Sequence, residues 1–137
     1  MKLLSRFHEA QSHSYDQALA EIKGGRKRTH WIWFIFPQIE GLGYSSTAQY
    51  YGIQGLAEAR AYLADPILGA RLIEITKALL ALKSTSASVV FGYPDDLKVR
   101  SCMTLFSIAD SGNPLFQAVL DRFYGGVADQ RTVELLG

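Results

Sequence analysis

The chain has 137 residues, 48% hydrophobic and 20% charged, the make-up of one folded domain with its own core, which excludes a disordered chain. Lys and Arg number 14 against 13 Asp and Glu, for a net charge of +1, so no global field draws in nucleic acid and a wide basic interface is not expected. Cys102 is the only cysteine, which excludes an intrachain disulfide and a multi-cysteine zinc site.

Leu3, Leu4, Phe7, Ala10, Ser14, Ala18 and Ile22 recur near helical spacing, and Gly24-Gly25 closes the stretch. This predicts a helix over 3–23 with a break around Ser12 to Ser14. The next stretch, RKRTHWIWFIFPQ, is ambiguous. Its aromatic and β-branched residues favour a strand, whereas Thr29 as N-cap and Pro37 as terminator favour a short helix. No second convincing strand exists to pair with it, so a short helix or irregular turn is expected. Residues 38–55 carry Gly41, Gly43, Gly52 and Gly55 and form the longest irregular region, with a turn of helix over 46–51. LAEARAYLAD, residues 56–65, reads as a helix.

Asp65-Pro66 then supplies a cap and a first helical residue. Behind it Ile67, Leu68, Leu72, Ile75, Leu79 and Leu82 form one apolar face up to Lys83. Residues 84–88 are a linker, with Ser86 capping a short segment to Phe91. Tyr93-Pro94-Asp95-Asp96 opens a helix to about residue 109. Asn113-Pro114 opens another that ends at Gly125-Gly126, and Asp129 caps a last helix to Leu136. The sum is an all-α fold of about six or seven short helices in a non-bundle arrangement, one domain over 1–137.

The N-terminal apolar run is too short for a signal peptide, and Glu9 follows at once. WIWFIFPQI is far too short to cross a bilayer. A cytoplasmic protein without a membrane partner is expected.

Residues 24–43 concentrate the candidate chemistry. Arg26, Lys27 and Arg28 are groups that hold phosphate or carboxylate, arginine by a bidentate fork and lysine as a point charge. As a solvated turn they would instead favour the C-terminal dipole of the first helix. His30 is open between an acid–base group, a metal ligand and a buried residue satisfying the backbone. No His or Cys spacing supports a metal. Of the aromatics, Trp31 is the candidate for stacking on a planar ring, with Tyr44 as the alternative. Core packing is the competing role for Trp31, Trp33, Phe34 and Phe36. Gln38 offers an amide beside Gly41 and Gly43, which admit a ligand close to the backbone. The glycine spacing matches neither a dinucleotide fingerprint nor a Walker loop.

A second polar knot holds Asp95, Asp96, Lys98 and Arg100. One aspartate suffices as a cap, which leaves Asp96 as a candidate base and Lys98 as a candidate anion contact. The two knots are expected to meet in space. Cys102 lacks a local base and is expected to be buried and inert.

GRKRTHWIWFIFPQIEGLG, AEARAYLADPILGARL, FGYPDDLKVRSCMTLF and FQAVLDRFYGG together resemble domain-of-unknown-function family 1810, some of whose members are mislabelled calpastatin. The resemblance spans nearly the whole chain. It implies a small, mostly helical intracellular protein and brings no established activity. Thr29, Asp65 and Cys102 stand where the family often has serine, histidine and serine. SCMTLFSIADSGNPLFQAVL is also similar in pattern to the tail of the NADAR family, which is associated with NAD and ADP-ribose chemistry.

Two functions follow as expectations. One is a site that binds or hydrolyses a small anionic, nucleotide-like or ADP-ribose-like molecule. Arg26, Lys27, Arg28 and Lys98 would hold phosphate, Trp31 or Tyr44 would stack, and His30 or Asp96 would move protons. The other is a non-enzymatic protein–protein interaction module with an exposed aromatic patch. No cofactor is implied, nucleic acid is not an expected partner, and the sequence does not set the oligomeric state.

Overall fold

A computed structural model describes residues 3–137, which hold ten helices. They are α1 (Ser5–Ser12), α2 (Tyr15–Lys23), α3 (Ile32–Ile35), α4 (Ser46–Tyr51), α5 (Leu56–Ala64), α6 (Leu68–Leu80), α7 (Ala87–Phe91), α8 (Asp95–Ala109), α9 (Leu115–Tyr124) and α10 (Gln130–Leu136). The expected six or seven is therefore too few. The 3–23 stretch breaks at His13-Ser14 into two helices, and the segments at 32–35, 46–51 and 87–91 each close into short helices of their own. The described residues contain no strand, only an isolated bridge between Ile39 and Ile53.

Capping decides where several helices begin. Ser45, Ser86 and Asp129 accept the N–H of Ala48, Val89 and Thr132 through their side chains. The Asp65 carboxylate accepts those of Ile67 and Leu68. Each satisfies a donor that the first helical turn leaves open. Thr29 does not cap α3, because Trp31 stands at that position and Thr29 is used elsewhere.

Helix α8 runs through the centre, and α3, α5, α7, α9 and α10 pack on it. From Ser101 to Phe106 every residue of it is buried. Rings of Phe7, Tyr62, Phe106 and Phe116 form a continuous chain through the core at centroid spacings of 5.1, 5.5 and 5.8 Å. Helices α5 and α6 approach closely at Gly69, where a Cβ would lie 2.1 Å from the Leu63 carbonyl oxygen. A buried ion pair ties α1 to this frame. Arg6 meets both carboxylate oxygens of Glu58 at 3.1 and 3.2 Å and donates to the carbonyls of Leu3, Tyr50 and Gly52.

Candidate functional site

The basic-aromatic segment is shaped by one carboxylate. Glu21, near the end of α2, is 6% exposed. It accepts from the backbone N–H of Arg28 and Thr29, the Thr29 hydroxyl, the Trp31 indole N–H and the Gln17 amide. Burial pushes its pKa up, but the hydrogen bonds from Thr29, Arg28 and Gln17 outweigh this and hold it at about 2. An ionised acceptor with this many donors is stable inside a fold. The turn over 28–31 is thus fixed onto α2.

Trp31 is consumed by this arrangement. Its ring is 1% exposed, and Lys27 Nζ lies 5.3 Å from the ring centroid. It is core, with no free face for a ligand, which corrects the stacking role expected of it. Ile32, Ile35 and Phe36 also turn inward, while Trp33 and Phe34 are only partly buried. Trp33 is therefore the indole nearer the surface.

The two polar knots meet. Lys27 Nζ, with a side chain only 8% exposed, lies 2.9 Å from Asp95 Oδ2, and Lys98 Nζ lies 3.1 Å from Asp95 Oδ1. Burial raises the Asp95 pKa, and the two ammonium groups more than offset it, leaving the carboxyl below its usual value. Lys98 also stands 5.1 Å over the Trp33 ring, within cation–π range.

Lys98 lines a cleft of about 200 Å³ with Gln38, Gly43, Pro94, Ser101 and Asp129. The Gln38 side-chain amide has no hydrogen bond among the described residues, so both its donor and its acceptor are available. Gly43 is needed where it stands, because a Cβ there would lie 2.7 Å from Ala48 Cβ and 4.0 Å from Gln38 Nε2. Gly41 sits beyond the cleft, in left-handed conformation, with a Cβ position 3.4 Å from Leu135 of α10. Asp129 is neutralised locally. One carboxylate oxygen accepts the Thr132 N–H and hydroxyl, and the other lies 3.6 Å from Arg100 Nη2. Lys27 and Lys98 thus face the one carboxylate of Asp95, and Arg100 faces that of Asp129.

Other expected members lie elsewhere. Arg26 and Arg28 line a separate recess of about 220 Å³ with Gln17, Glu21 and Gly24. His30 is exposed. Asp96 is on another side of α8. Its Oδ1 is buried without a protein partner, and its carbonyl accepts the Tyr124 hydroxyl at 2.7 Å. The recesses lined by these segments hold Gln38 without His30 or Asp96. Tyr44, next to Gly43 in the chain, is 86% exposed. Trp33, Phe34, Ser46, Thr47, Tyr50 and Tyr51 line a neighbouring open groove of about 540 Å³. Sequence reasoning missed Glu21, Ser101, Asp129 and Pro94. The first two read as ordinary helix residues and the others as caps, and only the fold brings them to the site.

Among the described residues no group of three His, Cys, Asp or Glu is placed to hold a metal, and no helix is long and apolar enough to cross a membrane. Among proteins of curated function none matches the chain. A crystal structure of a conserved hypothetical protein from Mycobacterium tuberculosis matches with a TM-score of 0.95 and 49% identity, over 97% of this chain and 95% of that one. The family described as protein of unknown function DUF1810 matches residues 1–136. The chain belongs to the DUF1810 family.

Proposed function

We propose that the protein binds a small anionic molecule in the cleft of Gln38, Gly43, Lys98, Ser101 and Asp129, without acting on it. The observation that carries this reading is the lysine relay. Lys27 and Lys98 share the single carboxylate of Asp95, so one ammonium charge is left over beside an unengaged amide. Binding without chemistry follows from the donor set, since the one carboxylate in the cleft, Asp129, is engaged by Arg100 and Thr132. At about 200 Å³ the cleft is below the ~300–1,000 Å³ of pockets that enclose a whole ligand. It takes one phosphate or carboxylate group, with the rest of the molecule at the mouth. The nucleotide-like reading is kept in that form, with the phosphate at Lys98 rather than at Arg26 and Arg28.

Calorimetry with inorganic phosphate, AMP and ADP-ribose tests it. Lys98→Gln removes a charge-assisted contact worth ~1.5–3 kcal/mol, a loss of roughly 10- to 100-fold in affinity, and Gln38→Ala weakens binding less. No heat at millimolar ligand, or affinities unmoved in both variants, would sink the proposal. A docking site for a partner protein is the second reading. It is favoured by the open aromatic groove at Trp33, Tyr50 and Tyr51, whose lining carries no charged side chain. Titrants that leave Lys98 silent would put that reading ahead.

A further inference from the structure

Lys98 belongs to two surfaces at once. It lines the cleft with Gln38, Gly43 and Ser101, and its ammonium stands 5.1 Å from the centroid of the Trp33 ring. Trp33 in turn lines the open groove of about 540 Å³ with Phe34, Ser46, Thr47, Tyr50 and Tyr51. A second contact ties the same two walls. A Cβ at Gly43 of the cleft would lie 2.7 Å from Ala48 Cβ, and Ala48 is on α4, the helix that carries four of the groove's residues. The groove is built into the fold. Tyr51 meets Phe7 of the core at 5.8 Å and Phe34 at 5.3 Å, and Arg6 donates to the carbonyls of Tyr50 and Gly52 at 2.8 and 3.0 Å. Tyr50, 50% exposed, stands edge-on to Tyr51 at 4.8 Å. The volume falls within the ~300–1,000 Å³ of pockets that take a small molecule, and rings with a few hydroxyls are a usual lining for one.

We infer that this groove is the second half of the anion cleft and receives the aromatic body of a ligand whose single anionic group is held by Lys98. The inference rests on the anion-cleft reading and adds to it where the rest of the ligand goes. Distance sets the arrangement. An oxygen accepting from the Lys98 ammonium at ~2.8 Å lies no more than about 8 Å from the Trp33 centroid. A ring joined to a phosphate or carboxylate through a few bonds has that reach. The groove's lining carries no charged side chain, so it favours a neutral body over a second charge, and its rings offer faces and edges to a planar one. Ser46 and Thr47 add hydroxyls that donate or accept. The ligand class is an aromatic ester of phosphate or an aromatic carboxylate, and Trp33 and Tyr50 are the residues that select it.

The experiment is calorimetry and tryptophan fluorescence on the full chain with methyl phosphate, phenyl phosphate and AMP, which share their anionic group. The expected result is that at least one ring-bearing ester binds more tightly than methyl phosphate. Tyr50→Ala then weakens that ester by roughly tenfold, the scale of one lost stacking face, and leaves methyl phosphate unchanged. The backbone carbonyl that Arg6 uses survives this substitution. Lys98→Gln weakens all three. The chain has two tryptophans, and Trp31 is 1% exposed, so the ring-bearing ester shifts the emission of Trp33 and Trp33→Phe removes that shift. Equal binding of methyl and ring-bearing esters, all of it dependent on Lys98, overturns the inference and leaves the anion cleft standing. Ring-bearing esters that bind undiminished in Lys98→Gln show a groove working without the cleft, which also overturns the joint site. If no probe binds the wild-type chain, the cleft and its extension are both wrong, and the groove is left to a partner protein.

Discussion

At the scale of single residues, Glu21 decides more of the local structure than any of the cations that follow it. Its carboxyl is held at about 2 against an ordinary 4.5. The folded value is depressed, so the stabilisation is fully present above the unfolded pKa and is lost as pH falls from about 4.5 towards about 2. Glu21→Gln is expected to cost ~1.5–3 kcal/mol at neutral pH, because an amide cannot accept from every donor that the carboxylate serves. It should also flatten the acid limb of the stability curve in that window. Urea unfolding at pH 7 and pH 3 checks both, and curves that superimpose on the wild type at each pH would refute the assignment. The sequence concealed this residue because a glutamate near the end of an amphipathic helix has the pattern of a solvated one. The tryptophans show the same limit from the other side. Trp31 and Trp33 are chemically identical in the chain, and only the start of α3 at Ile32 turns the first inward and leaves the second at the surface.

At the scale of elements, several caps were legible, and so was the break around Ser12 to Ser14. Asp65, Ser86 and Asp129 open helices where local chemistry predicts them, whereas neither Asp95 nor Asp96 caps α8, which follows Pro94 instead. A cap acts within three residues, so its signal is contained in the sequence itself. The partners of α1, in contrast, lie far along the chain. Arg6 of α1 is bound to Glu58 of α5 and to carbonyls at residues 50 and 52, and no periodicity announces that. With relative exposures of 4% and 5%, the pair leaves an uncompensated buried charge when either member is removed. Arg6→Ala and Glu58→Ala are each expected to cost ~3–5 kcal/mol. The double variant should cost much less than the two losses added, since removing the second partner relieves the charge stranded by the first. Chemical denaturation of the four proteins measures this. Additive losses would mean that Arg6 acts through the carbonyls alone.

At the scale of the whole molecule, residues adjacent in sequence do not form one site. The segment 26–44 reads as a single cluster of cations, rings and glycines. Folding sends Arg26 and Arg28 to one recess, Trp31 to the core, and Gln38 and Gly43 to a cleft completed by α8 and by the residue that caps α10. The cause is that Glu21 and Asp95 each draw part of the segment in a different direction. Most of the fold packs on the central helix, and Cys102 reports on it. The thiol is fully buried on α8, and desolvation raises its pKa well above the ordinary value, so the reactive thiolate is scarce as well as inaccessible. Helices α5 and α9 pack most heavily on α8, so reagent is expected to reach the thiol only when the core opens as a unit. Labelling of the native protein by a disulfide reagent is therefore expected to be slow, and to accelerate across a urea series with the same midpoint as the loss of helical circular dichroism. Rapid labelling in native buffer, or a labelling midpoint well below the helical one, would show that α8 is reached by a local opening and that the chain does not unfold as one body.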